Sequence, residues 1–294
     1  MPSPDPAPSP LSQWLEAAWS RQADVRAVEV EGATVRYRDW GLPDGLGADA
    51  PGLLFVHGFL AHAHWWDHIA PHFADHHHVI APDFSGMGDS DRRGGYSRRQ
   101  YAREILAALA DAGMSGATIV AHSFGAISSL LAAQLAPEIV RRVIVLDAFV
   151  FRPHPLALPA RVETEKRYAT REEALARYRL RPAGRWPVPE IMAYLALHSL
   201  REEDGMWGWK FDPGIFASID KEQLRDELRG LAVPVDFVRA AHSEAVDDTA
   251  MAAFVANMPF CGRPVTVPLS HHHLMIEQPV ALVSALGGLL AHPR

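Results

Sequence analysis

An α/β protein, with a mostly parallel, doubly wound sheet of about eight strands, is the fold class that three observations predict. Short β-branched runs recur along the chain, separated by segments of helical character. Several runs, such as Gly52–Val56 and Arg142–Leu146, are almost continuously apolar, as strands buried on both faces must be. Polar residues (His57, Asp83, Ser123 and Asp147) follow directly on these runs. They would gather at the carboxyl edge of the sheet, where ligands of such sheets bind.

The elements follow in order. Residues 1–22 comprise a Pro-rich tail, Met1–Pro10, and a short amphipathic helix over Leu11–Gln22. The tail lacks the basic and apolar regions of a signal peptide and reads as stiff and disordered. The core is expected over 23–150 and 214–294. Val25–Val30 and Thr34–Trp40 alternate apolar and polar around Glu31-Gly32-Ala33, which predicts a hairpin. The strand Gly52–Val56 leads to a helix over Trp65–Ala74. His78–Ala81 is the next strand, and the tract His76–His78 reads as exposed loop. Ser97–Ala112 has helical periodicity and stops at Gly113. Thr118–Ala121 and Arg142–Leu146 are the fifth and sixth strands. Residues 151–213 break the pattern. They show charged helical stretches (Arg161–Tyr168, Arg171–Tyr178), prolines, Ile191–Leu200 and an aromatic cluster, but no strand signal. This predicts a helical lid inserted after the sixth strand, over the polar edge. Val233–Arg239 and Val265–Val267 then supply strands, and Thr249–Asn257 and Pro279–Leu290 supply helices.

Composition narrows the function. The 294 residues carry a net charge of −7 with no Lys/Arg block, which argues against nucleic acid. The single cysteine, Cys261, excludes an intrachain disulfide and a multi-thiolate metal site. No apolar run approaches transmembrane length. A cytoplasmic protein, free of nucleic acid and membrane, as monomer or homodimer, is the resulting expectation.

The chemistry centres on Ala121-His122-Ser123-Phe124-Gly125. A strand feeding a helix through so tight a turn forces a strained backbone, and Ala121 and Gly125 are small enough to allow it. Ser123 would then stand exposed as a nucleophile, or it would simply cap the following helix. A serine hydroxyl needs a base, and the base needs an orienting group. His271-His272-His273, between the last strand and the last helix, offers the base. Three adjacent histidines in an extended loop cannot converge on one metal, so no metal is expected.

Four motifs together resemble the α/β-hydrolase superfamily over roughly 25–291. They are His57-Gly58-Phe59, Asp83-Phe84-Ser85-Gly86-Met87-Gly88-Asp89-Ser90, Ala121-His122-Ser123-Phe124-Gly125 and His272 to Pro279. Ala121 stands where the family's elbow usually has glycine. The resemblance implies a catalytic triad without a cofactor. Ser123 is the nucleophile and His272 the base by its spacing to Glu277 and Pro279, with His271 or His273 as lesser candidates. The acid is expected in the turn Ala240–Glu244, at Glu244, with Asp147 as the alternative. Asp247 and Asp248 read as helix-capping acids. By the same resemblance, the N–H groups of Phe59 and Phe124 form the oxyanion hole, and His57 holds the loop that carries Phe59.

The implied activity is that of a serine esterase acting on carboxylic esters, thioesters or lactones with small to medium apolar acyl or aryl groups. Trp65, Phe149, Trp186, Trp207, Trp209, His122 and His273 are candidate substrate-binding residues, with Met192, Leu195, Met206 and Phe211 as further lid hydrophobics. Arg161, Arg167 and Arg185 could meet a substrate carboxylate, although lid arginines usually just face solvent. A C–C bond hydrolase of diketone-type substrates is the alternative, although His273 stands where that group often has Trp. Cofactor-free oxygenation or perhydrolysis ranks lower, as does a non-catalytic binding protein. Ser123 argues against the aspartate-dependent dehalogenases and epoxide hydrolases.

Overall fold

The computed structural model describes residues 8–47, 50–151, 165–218 and 225–292. Most of the Pro-rich tail and residues 152–164, with Arg161, lie outside these. The first helix, α1 (Pro10–Ser20), starts where Ser9 accepts the Ser12 N–H at 3.0 Å. The hairpin is β1 (Asp24–Val30) and β2 (Ala33–Asp39), as the alternation predicts. The strands β3 (Gly52–Val56), β4 (His78–Pro82), β5 (Ala117–His122) and β6 (Val140–Leu146) follow, with α2 (Arg98–Asp111) and α3 (Gly125–Leu135) between them. The segment after β6 contains β7 (Arg167–Tyr168), α4 (Arg171–Leu175), α5 (Pro189–His198), β8 (Leu200–Glu203) and β9 (Met206–Trp209). Then come α6 (Ile215–Ser218), α7 (Arg225–Leu228), β10 (Val235–Ala240), α8 (Asp248–Asn257), β11 (Val265–Val267), α9 (Leu274–Glu277) and α10 (Pro279–Ala291).

The eight-stranded sheet has the order β1-β2-β4-β3-β5-β6-β10-β11. Only the pairings made by β2 are antiparallel; the rest are parallel. Side chains alternate across a strand, so each buried strand feeds two cores. Leu54, Val56, Ile119 and Ala121 face α2 and α3, whereas Leu53, Phe55 and Val120 face α1, α5 and α10. On that second face Arg142 of β6 meets Asp236 of β10 at 2.6 Å and donates to the Leu289 carbonyl of α10 at 2.8 Å. A charge pair so buried gains from further hydrogen bonds, and the Leu289 carbonyl supplies one. Among the described residues no helix is long and apolar enough to cross a membrane.

Three expectations are corrected. The helix over Trp65–Ala74 is instead two 3-10 turns, Ala63–Trp66 and Ala70–His72. Pro71 lacks the N–H that an α-helical ladder would need there. His78 does not lie in exposed loop; it opens β4, buried, with Nε2 2.8 Å from Asp39 Oδ1. The segment after β6 is not purely helical, because β7, β9 and β8 form an antiparallel sheet. Its hairpin turns at Asp204-Gly205, both at positive φ (53° and 71°). An Asp-Gly pair between two short runs is a strong hairpin signal. The many charges of Leu200–Glu203 hid it.

Candidate active site

Between the end of β5 at His122 and the start of α3 at Gly125 stand only Ser123 and Phe124. Ser123 has φ +50°, in the left-handed region that L-residues occupy at a cost. A Cβ on Gly125 would lie 2.6 Å from the His57 carbonyl oxygen and 2.6 Å from Val56 Cγ1. Gly125→Ala must therefore push the elbow off β3, and we expect a loss of about 1–3 kcal/mol. Calorimetry reads this as a Tm several degrees lower; an unchanged Tm would contradict the close approach. α3 has no side-chain cap. The Ser123 hydroxyl turns away from the helix, 2.8 Å from His272 Nε2.

His272 lies in the loop between β11 and α9. Its Nδ1 is 2.8 Å from Asp147 Oδ2. With Nδ1–H donated to a carboxylate, Nε2 keeps a lone pair that accepts the Ser123 O–H. Asp147 follows β6 directly, has φ +45° and is fully buried. Its other bonds come from the Ala240 N–H at 3.0 Å and the Ser243 hydroxyl at 2.6 Å. A buried carboxylate with three donors is fixed in place. The carboxylate brought to His272 is thus the alternative considered above, not Glu244. Glu244 is exposed and lines the cavity described below without hydrogen-bonding to His272. The turn after β10 meets the Asp147–His272 pair through Ser243, a residue that sequence reasoning missed. Its only signal was its place in the turn where an acid was expected. Asp247 caps α8 by accepting the Ala250 N–H at 2.6 Å.

Around this chain the remaining motif residues serve as scaffold. His57 Nδ1–H donates to the Gly58 carbonyl at 2.8 Å, and Nε2 accepts the Phe84 N–H at 3.1 Å. Burial lowers its pKa to about 4, so the ring is neutral. Neither the Phe59 nor the Phe124 N–H bonds another group among the described residues, and their rings lie 5.1 Å apart. His122 is buried and donates Nε2–H to the His272 carbonyl at 2.9 Å, bracing the histidine loop from below. Burial first, then the nearby His272, holds its pKa well below the usual range.

Glu277 is a second organising carboxylate. It accepts the Arg185 N–H at 2.6 Å, the Trp186 N–H at 3.1 Å and the His271 N–H at 2.6 Å. His271 Nδ1 adds a contact at 3.0 Å. Burial alone would raise the Glu277 pKa, but these donors outweigh it and the net shift is downward. His271 is thereby occupied away from Ser123. Burial and the neighbouring His272 lower His273 to about 3.

A cavity of about 780 Å³ opens above Ser123. Of the residues expected there, Phe59, Trp65, His122, Trp209 and His273 line it, as does Phe211. Phe149, Trp186 and Trp207 do not. Phe149 packs against the core on the α2 side. Trp186 is half exposed, beside His271 and under Arg185. Trp207 shares a strand face with Trp209 but lies two residues nearer the hairpin turn, roughly 7 Å away, against Arg171. Arg167 is engaged by Glu203 at 2.7 Å, and Arg185 by the Trp186 ring. Met192 and Leu195 pack into the second core, and Met206 is exposed. No group of three or more His, Cys, Asp or Glu side chains placed to hold a metal occurs among the described residues.

The chain is similar to several known proteins in sequence and fold. Esterase Rv0045c of Mycobacterium tuberculosis is 25% identical over 256 residues, covering 83% of this chain and 84% of its own. The 2-(acetamidomethylene)succinate hydrolase of Mesorhizobium japonicum is 30% identical over 278 residues, covering 89% and 93%. A solved E-2-(acetamidomethylene)succinate hydrolase shares the fold with a TM-score of 0.74 at 22% identity, covering 92% of this chain and 100% of that one. The model of the alpha/beta hydrolase family matches residues 53–286. The chain belongs to the alpha/beta hydrolase family and is a hydrolase.

Proposed function

We propose that the protein is a serine hydrolase that cleaves carboxylic esters, thioesters or lactones through an acyl-enzyme on Ser123. The observation that carries this reading is the chain of contacts from Ser123 Oγ through His272 to Asp147, each 2.8 Å long, at the base of the cavity. His272 takes the serine proton as Oγ attacks the carbonyl, and Asp147 stabilises the imidazolium. The new oxyanion is met by the N–H groups of Phe59 and Phe124, each worth roughly 3 kcal/mol in the barrier. His272 returns the proton to the leaving group, and water repeats the cycle on the acyl-enzyme. The aromatic wall of Phe59, Trp65, Trp209 and Phe211 suits an acyl or aryl group of small to medium size. The insertion over the cavity serves as its lid. The protein acts in the cytoplasm as a monomer or homodimer, without cofactor.

The test is a panel of p-nitrophenyl esters from acetate to long chains, run beside labelling by a fluorophosphonate. We expect turnover that peaks at short to medium chains, and a single phosphonate adduct on the peptide containing Ser123. No turnover at any length together with no adduct would sink the proposal.

A further inference from the structure

The apolar wall is only part of the cavity. Lys166, Arg177, Arg179, Arg181 and Lys210 line it as well, against two acids, Glu165 and Glu244. Two of these charges are already matched. Lys210 pairs with Asp89 at 2.8 Å, and Glu165 with Arg92 at 2.7 Å. Lys166, Arg177, Arg179 and Arg181 pair with no carboxylate among the described residues. Four unmatched cations thus face one unmatched acid, in a chain whose net charge is −7. Such local excess runs against the molecule's overall balance and focuses positive potential in one cleft.

Their placement follows from the local backbone. Arg177-Tyr178-Arg179-Leu180-Arg181 leaves α4 without helical structure. All five residues line the cavity; Leu180 is buried in the second core and Tyr178 packs on it, while the three arginines stay exposed. The segment also touches the catalytic loop. The Arg181 and Pro182 carbonyls lie close enough to the His273 ring to oppose the effect of burial on it, without hydrogen-bond geometry. Within the cavity, Trp65, His122, His272 and His273 are buried and the four free cations exposed. The floor is therefore aromatic and catalytic, and the rim cationic.

We infer that the substrate is an anionic ester or close relative, whose carboxylate or phosphate, remote from the scissile carbonyl, is held by Arg177, Arg179 and Arg181. This deepens the proposed function and rests on Ser123 as nucleophile. The guanidinium fork binds either anion in a bidentate manner, and a cavity of about 780 Å³ has room for an apolar body between the two ends.

The experiment compares matched esters on wild type and on the triple variant Arg177→Gln/Arg179→Gln/Arg181→Gln. On the acyl side they are p-nitrophenyl valerate, p-nitrophenyl hydrogen glutarate and p-nitrophenyl 4-phosphonobutyrate. On the alcohol side they are phenyl acetate and 4-acetoxybenzoate. In wild type we expect an anionic ester of at least one pair to exceed its neutral partner by about tenfold in kcat/KM. That preference should lie mainly in KM, weaken between low and high salt, and fall to about one in the triple variant. The stronger of the glutarate and phosphonobutyrate esters identifies the anion. Hydrolysis of both members of each pair with no such preference, or with one that survives the triple variant, overturns the inference and leaves the esterase reading intact. Binding of the same esters to Ser123→Ala, followed by calorimetry, gives a readout independent of turnover. Tighter binding of an anionic ester that the triple substitution removes supports the inference even if wild type hydrolyses nothing, an outcome that would instead refute the esterase reading. Equal binding of charged and neutral esters in that background overturns the inference.

Discussion

Ser123→Ala is expected to lower kcat on the best ester by about six orders of magnitude, and Asp147→Asn by about four. Glu244→Gln is expected to cost less than tenfold. The difference lies in what each carboxylate touches. Asp147 Oδ2 receives both the Ser243 hydroxyl at 2.6 Å and His272 Nδ1 at 2.8 Å, while Oδ1 receives the Ala240 N–H at 3.0 Å. In Asp147→Asn the amide oxygen is drawn to the Ala240 N–H, and the NH2 then faces His272. Nδ1 must become an acceptor, so the proton moves to Nε2 and the ring offers Ser123 a donor where it needs a base. The fold is untouched, so far-ultraviolet circular dichroism should overlay with wild type. Steady-state kinetics on the three variants decides the matter. A large loss in Glu244→Gln with little loss in Asp147→Asn would reverse the assignment of the acid.

The second large effect is on stability. His57 and His68 are buried with pKa values lowered to about 4, and His273 to about 3. In the unfolded chain each would titrate near 6.5. Folded-state values below unfolded ones mean that the native state refuses protons the unfolded state accepts. The stability these neutral rings allow is therefore fully present above about pH 6.5 and is lost as pH falls toward 4. At pH 5 each ring costs roughly 2 kcal/mol, so the three together cost about 6 kcal/mol, comparable with a whole domain's margin. His62 and His122, held well below the usual range by burial first, act in the same direction. Asp83 and Glu104, raised by burial, act in the opposite one. The histidines outnumber them, so the urea midpoint should drop steeply from pH 7 to pH 5. His68→Gln, whose side chain can still donate to the Met275 carbonyl that His68 Nε2 meets at 2.7 Å, should flatten that slope by about one proton. A midpoint that is level or rises on acidification would mean that these rings are not neutral in the folded protein.

Much of this was legible in the sequence for local reasons. Short apolar runs rich in β-branched residues mark buried strands and alternation marks the hairpin, and every one of the eight expected strands lies in the main sheet. The family resemblance, through the spacing from His272 to Glu277 and Pro279, implies one histidine of three, and the geometry brings that one to Ser123. The partner acid was harder. Asp147 and Glu244 both follow strands, and no local pattern tells which strand end points at the histidine. That choice depends on a backbone turn, the positive φ of Asp147, and on the pairing of β6 with β10. Both are long-range facts. The aromatic residues of the insertion were misplaced for a similar reason. Apolar character says that Trp186 and Trp207 prefer cover, but not whether the cavity or a neighbouring arginine provides it.

The position of Asp147 also bears on how the protein can change. Ser123 and Asp147 extend two adjacent strands, and their backbones are stitched in place by the bonds from Ser123 N–H to the Leu146 carbonyl at 3.0 Å and from Asp147 N–H to the Val238 carbonyl at 2.8 Å. Two of the three groups proposed for the chemistry thus inherit their spacing from the sheet register itself. With Asp147 proposed as the acid, the loop after β10 has to keep the Ser243 hydroxyl in reach and to hold its bonds from the Ala241 and His242 N–H groups to the Val267 and Ser270 carbonyls. It is free to lengthen, recharge or contact new molecules at the mouth of the cavity, so substrate range can drift there without disturbing the reacting atoms.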